Sequence, residues 1–505
     1  MGKVLISHDL GTSGNKATLF STDGVMIKST VETYPTHFFN NNWAEQNPLD
    51  WWRAVCITTK RLMVGRNPQD VAAVSFSGQM MACVCVDQSG TILRDAIIWA
   101  DQRAQKEANE IAGKIDANEF YRIVGHRINA SYSFEKLLWI RNNQPDIYKK
   151  IYKILLPKDY IVYRLTGKFV TDYSDASGTN AFDLAKLEWS SKIIEKNSVD
   201  ISIFPEARPS TFVVGGVIRS VAEECGLCAG TPVVLGAGDG ACSTVGAGSV
   251  FENVAYNYVG SSSWIAYTSK NIVLDEKQRV FNWAHAVPGM YIPCGTMQCA
   301  GNSMKFMRDT ICGKQEEQAR LQHKRVFALM DEAVEKSSIG ANGLFYLPYL
   351  IGERSPRWNP DAKGAFIGLK MEHKQEDLLR AAVEGVFLNL SLILDVFKEK
   401  IDIKRINVLG GLVRGDIERR IMADIYDVDI CTLNHQEEAT SIGAAIIGGV
   451  GVGIFKNFSV ASKFITTDET IHPIPKNHRQ YERIKKIFDN CYYALIPIYK
   501  QIKDL

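Results

Sequence analysis

A two-part α/β fold is what this chain of 505 residues predicts. Three observations lead there. Strand-like runs alternate with helical ones from end to end, which is the pattern of α/β architecture. The length exceeds what one hydrophobic core supports, so two domains, or three, are expected. Both halves open with strand, small-residue turn, strand, a hint of duplicated cores.

The first of these turns carries an acid. Residues 4–6 and 17–20 are apolar β-type runs, joined by Ser7-His-Asp9-Leu-Gly11-Thr12-Ser13-Gly-Asn-Lys-Ala17. A Gly/Ser/Thr turn lets backbone N–H groups and hydroxyls approach a triphosphate without Cβ obstruction, and an acid at the strand end can hold Mg²⁺ directly or through water. Taken alone, such a turn is more often plain hairpin chemistry than a ligand loop. The next strand turns at Asp23-Gly24, a strong hairpin dipeptide. Residues 71–77 and 82–87 read as strands around Ser77-Gly-Gln79-Met80-Met81, and helices are expected over 102–115 and 133–142. Residues 231–235 form a short apolar strand entering Gly236-Ala-Gly238-Asp239-Gly240. In the second half, residues 253–259 end at Gly260-Ser261-Ser262-Ser263, and residues 406–409 run into Gly410-Gly411. Ile417, Ile421 and Ile425 then recur at helical spacing, which predicts an amphipathic helix over 415–426.

Composition removes several function classes. With 46% hydrophobic and 23% charged residues the chain is globular, and a net charge of +2 without long blocks of one sign gives no electrostatic case for nucleic acid or a membrane surface. The start lacks a secretory pattern and the most apolar late stretch, 441–455, is short and Gly-rich, so a soluble cytoplasmic protein is expected. Eleven cysteines, with a lone CxxC at Cys225 and Cys228, suit reduced thiols better than a disulfide framework or a zinc site. No Gly-Lys pair precedes Ser or Thr, which excludes a P-loop, and Gly236 to Ala241 lacks the downstream acid of a dinucleotide fold.

Several ordered blocks together resemble the FGGY carbohydrate kinases, whose fold belongs with actin, Hsp70 and hexokinase (ribonuclease H-like), and within them the xylulose kinases. The first signature is matched by Ser131-Tyr-Ser133-Phe-Glu-Lys136-Leu-Leu-Trp139-Ile-Arg-Asn-Asn143, and the second by Gly364-Ala-Phe366-Ile-Gly368-Leu369 with Asp377-Leu-Leu-Arg-Ala381-Ala-Val-Glu384. Leu156-Pro-Lys-Asp-Tyr160, residues 171–179 and Gly352-Glu-Arg-Ser-Pro356 also look like family blocks.

The resemblance implies two lobes, 1–245 with the sugar site and first phosphate hairpin and 246–505 with the second hairpin and adenosine site, and an active site in the cleft between them. It implies ATP and Mg²⁺. Asp239 would be the general base, although a helix N-cap is the plain alternative from sequence. Asp9 would serve the metal, with Gly11, Thr12 and Ser13 at the phosphates. Gly260 and Ser261 would form the second phosphate hairpin, and Gly410, Gly411 and Arg414 the nucleotide side, near Glu438. Gln79, Met80, Trp99, Asp101 and Arg103 would bind the sugar, by an aromatic face and polar groups. Met81, Ala100 and Gly240 stand where such relatives carry His, Asn and Asn, so a roomier and more apolar pocket is expected. D-xylulose or a related ketopentose is the implied acceptor; ribulose, gluconate, glycerol or another polyol is the alternative. An actin- or Hsp70-like ATPase and a sugar-binding regulator are the readings from other classes. A homodimer is common among such relatives.

Overall fold

The computed structural model describes residues 2–503, which divide into two compact units. The first comprises Met1–Glu252, Thr268–Pro293 and Glu438–Thr466; the second comprises Asn253–Tyr267, Cys294–Glu437 and Thr467–Leu505. These units differ from a contiguous division at 245/246, because two later segments belong to the first unit. One of them is the helix Ala439–Gly451, the apolar late stretch noted in the sequence. Its glycines explain why it packs there: a Cβ on Gly443 would lie 2.0 Å from the Cys242 carbonyl, and one on Gly246 of the facing helix 1.8 Å from the Ala439 carbonyl. Two backbones approach that closely only without side chains between them.

Each unit is built on one mixed sheet, and six strands of each sheet share the same order and directions. In the first, Val4–Leu10 lies between its antiparallel hairpin partner Gly14–Ser21 and the parallel strand Val71–Gly78. Met26–Thr33 extends the antiparallel side, and Pro232–Val234 and Val213–Gly216 extend the other. In the second unit Ala255–Val259 takes the place of the first strand, with Ser263–Tyr267 antiparallel and Arg405–Leu409 parallel to it. Tyr291–Met297, Asp429–Leu433 and Thr467–Ile471 extend that sheet. The duplicated strand, turn, strand pattern of the sequence is thus a duplicated sheet. The expected helix over 415–426 is Asp416–Tyr426.

In the first unit the core gathers Val4, Ile6, Leu10, Trp51, Val74, Phe76, Ile161 and Leu235, so the sheet is buried and its strand ends are held rigidly. Among the described residues no helix is long and apolar enough to cross a membrane.

Candidate functional site

Parallel pairing places the acids. Asp9 pairs with Ser77 on Val71–Gly78, and Gly238 pairs with Gly78 on the opposite side of that strand. Asp9 and Asp239 therefore emerge at the carboxyl ends of strands flanking a common neighbour, two strand spacings or about 10 Å apart, where open α/β sheets bind ligands. The Asp9 carboxylate accepts hydrogen bonds from Ser77 Oγ at 2.8 Å and Thr440 Oγ1 at 2.6 Å. Beyond it, the turn Gly11-Thr12-Ser13 is closed by Gly11 N–H to the Gly14 carbonyl at 3.0 Å. The Tyr34 hydroxyl donates to the Gly11 carbonyl, and the Gln46 amide and Thr36 hydroxyl donate to that of Thr12.

Asp239 opens the helix Asp239–Gly246, and its carboxylate accepts from the Gly240 N–H at 2.7 Å. Burial pushes its pKa up to about 7, the negative charge of Asp9 adds to the rise, and the Gly240 bond opposes it. Water still reaches the side chain, which is half-buried.

The backbone leading to Asp239 is held from beneath. Gly238 N–H donates to Ser174 Oγ at 2.9 Å, and Ser174 Oγ donates in turn to Asp172, which also accepts from Ser210 and caps the helix Tyr173–Ser177. Asp172 lies 2.9 Å from the ammonium of Lys158, which also meets Asp159 at 2.6 Å and Asp175 at 3.1 Å; all four side chains are fully buried. The same short helix fixes a second strand, because Ser177 Oγ accepts from Ala284 N–H at 3.1 Å on Phe281–Ala284. Trp283 of that strand lies against Gly240, its Cζ3 2.9 Å from where a Cβ would be.

Of the five residues expected on the acceptor side, two stand at this place. Met80 packs on Gly238, whose Cβ would meet its Cγ at 2.6 Å. Trp99 donates from Nε1 to Thr12 Oγ1 at 2.9 Å, joining the aromatic wall to the first turn. The other three make their contacts within the protein. Gln79 is buried; its amide donates to Gln46 Oε1 at 2.8 Å and its N–H to the Leu10 carbonyl, so it supports the turn. Asp101 accepts from the Ala44 N–H and from the Arg103 N–H, Nε and Nη2. Arg103 also pairs with Glu45 at 2.7 Å and stacks on Trp43 and Trp139, 3.8 and 4.8 Å from the ring centroids. Both ends of that pair are buried, and both Asp101 oxygens accept hydrogen bonds.

The pocket is also not opened at Gly240, since Trp283 stands over it. At Met81 the backbone adopts φ 61°, uncommon for a residue with a Cβ, and the buried Lys136 ammonium holds it by donating to the Met81 carbonyl at 2.7 Å. Burial lowers the Lys136 pKa to about 7, against the raising effect of Asp101.

The second unit carries a three-residue turn like the first. Gly260-Ser261-Ser262 follows the terminal pair Val259 and Ser263. Gly301 N–H donates to the Gly260 carbonyl at 2.8 Å and Lys305 Nζ to Ser261 Oγ at 3.0 Å. Gly410, at φ 104°, packs where a Cβ would lie 2.5 Å from the Val259 carbonyl, which brings Gly410-Gly411 beside the turn. Arg414 closes the 3-10 turn Gly411–Arg414 and pairs with Glu437, while Glu438 belongs to the first unit and pairs there with Lys16.

Sequence reasoning named no role for Ser77, Thr440, Ser174, Lys158 or Trp283. Ser77 stood at the end of an expected strand, but its place beside Asp9 comes from the strand pairing in the structure; Thr440 and Trp283 come from distant segments with no local signal.

Comparison with known proteins gives the class: the chain is a carbohydrate kinase that uses ATP. Particularly, it belongs to the FGGY family of carbohydrate kinases, whose N-terminal domain matches residues 4–246 and C-terminal domain residues 255–452. It is 30% identical to a xylulose kinase of Staphylococcus xylosus over 490 residues, 97% of this chain and 99% of the relative. It is also 30% identical to a gluconokinase of Bacillus subtilis over 510 residues, 100% and 98%. The crystal structure of ligand-bound xylulose kinase from Lactobacillus acidophilus superposes with a TM-score of 0.92 at 26% identity, covering 99% of this chain and 100% of that one.

Proposed function

We propose that the chain transfers the γ-phosphoryl group of ATP to a hydroxyl of D-xylulose or a related ketopentose, with Asp239 as general base. One observation carries the assignment: Asp239 stands at a strand end with a single backbone donor and a pKa near 7. A carboxylate so poorly served is basic enough to take a hydroxyl proton at neutral pH, and proton removal as the oxygen attacks phosphorus is what this transfer asks of the protein. Met80 and Trp99 offer the acceptor apolar and aromatic surface. Asp101, Arg103 and Gln79 contribute by fixing the walls.

Asp9, Gly11, Thr12 and Ser13 serve the phosphates and Mg²⁺. Each Asp9 oxygen takes one neutral hydroxyl donor and keeps lone pairs free, and one carboxylate among hydroxyls suits Mg²⁺, which takes one or two carboxylates and keeps several waters. Held there, such an ion would supply charge neutralisation at the phosphate oxygens. In the second unit, Gly260 and Ser261 would cradle phosphate, and Gly410, Gly411 and Arg414 the nucleotide. The juxtaposition of Gly410 with Val259 supports their acting as one surface.

Gluconate is the second reading, favoured by the equal identity to a gluconokinase over the full length. ADP release with ATP and Mg²⁺ across D-xylulose, D-ribulose, D-gluconate and glycerol separates the two. The expected result is the highest kcat/KM on a ketopentose; selective turnover of gluconate would replace the acceptor and keep the kinase. Equal ATP turnover with no acceptor present would point to an ATPase.

A further inference from the structure

The backbone that carries Asp239 is clamped from both sides by large apolar groups. Met80 Cγ and Sδ would lie 2.6 and 2.8 Å from a Cβ on Gly238. Trp283 Cζ3 and Cε3 would lie 2.9 and 3.3 Å from a Cβ on Gly240, with Met80 Sδ at 3.6 Å from the same point. Real Cβ atoms essentially never come within 3.0 Å of another heavy atom, so neither glycine admits a side chain while these neighbours stay. Trp283 is not free to move aside. Its strand is bound through Ala284 to Ser177, and its ring contacts Phe281, 5.0 Å between centroids, and His126 at 6.1 Å. Its side chain is only partly buried, next to the half-buried Asp239.

We infer that Trp283 is a specificity-determining residue of the acceptor site, occupying the volume that a polar side chain at position 240 would need. The inference rests on Asp239 marking that site. Next to the reacting hydroxyl the acceptor then meets an indole face and a thioether, and no side-chain amide. Acceptors are ranked there by shape and C–H surface, and a compound whose binding depends on a hydrogen bond at this point is disfavoured.

The test is a double-mutant cycle on kcat/KM for D-xylulose, D-gluconate and glycerol, with Gly240→Asn and Trp283→Ala singly and together, and with Trp283→Leu as a variant that keeps an apolar branched side chain and removes the aromatic face. Gly240→Asn alone should lose about 100-fold on every acceptor, as a close contact beside the reacting centre does. In the Trp283→Ala background the same substitution should be neutral or beneficial. Trp283→Ala and Trp283→Leu should change the ratio of kcat/KM between two acceptors by about tenfold while leaving KM for ATP unchanged. A structural role alone would lower all rates together and leave the ratios fixed. If Gly240→Asn is equally harmful in both backgrounds, or the ratios move less than twofold in both Trp283 variants, the inference is overturned. Asp239→Asn is the control: an active Asp239→Asn enzyme removes the acceptor site from this place, whereas an inactive Asp239→Asn enzyme together with unmoved ratios in the Trp283 variants removes only the role of Trp283.

Discussion

Two carboxylates of the first unit, Asp101 and Asp239, lie in sequence settings that look equally functional and in physical settings that are opposite. Asp101 receives the Ala44 and Arg103 N–H groups and a two-pronged guanidinium. Asp239 receives one backbone N–H and faces the charge of Asp9. Full satisfaction makes an acid into a fastener; partial satisfaction beside another negative charge makes it a base. The difference separates scaffold from chemistry more sharply than residue type does.

The largest effect follows from removing the poorly served acid. Asp239→Asn keeps the shape and the Gly240 contact but cannot accept a proton, so kcat should fall by about 10²–10⁴-fold, while ATP binding, measured by calorimetry, stays within a few-fold of the parent. An Asp239→Asn enzyme with full kcat would place Asp239 with Asp101 among the fasteners.

How much of this contrast the sequence carries depends on distance along the chain. The small-residue turn at Gly11 and the short apolar strand entering residues 236–240 are local patterns, and they singled out Asp9 and Asp239; the parallel pairing with Val71–Gly78 joins segments far apart in the chain and came from the structure. The saturation of Asp101 was not: it is completed by Ala44, and its partner Arg103 is held by Glu45, Trp43 and Trp139. A pair of opposite charges two residues apart reads the same whether it faces water or aromatic rings. Trp283 escaped for a related reason, since it lies in the segment Thr268–Pro293 that the chain returns to the first unit after leaving it. The residues 171–179 and Lys158 stood out as family blocks, but that one buried ammonium fixes the strand of Asp239 through Asp172 and Ser174 needs the distances.

Breaking the saturated acid tests the other side of the comparison. Arg103→Ala strands Asp101 and Glu45 without their cation in a buried site, and breaking such a pair costs about 3–5 kcal/mol. The loss should appear as a lower denaturant midpoint with an unchanged m value. The pH dependence of kcat/KM in the protein that remains folded should match the parent. A stable Arg103→Ala protein with altered acceptor preference would move the pair from the walls into the pocket.

The smallest effect lies in pH. A base with a pKa near 7 is active only when unprotonated, so kcat/KM should fall tenfold per unit below pH 7 and level off above it. The same elevation makes a stability statement of opposite sign to that of an ordinary paired acid. Below the usual carboxylate value of 3.8 Asp239 is protonated in both folded and unfolded chains and contributes nothing. Between 3.8 and about 7 the unfolded chain ionises first, so folding stability is lost as pH rises, and above 7 the loss is complete. Asp239→Asn, which cannot ionise, should therefore melt at the same temperature as the parent at pH 4 and higher than the parent at pH 8. Scanning calorimetry at the two pH values reads the difference. Equal melting at both would mean that Asp239 ionises in the fold as easily as in water, and the contrast with Asp101 would lose its physical basis.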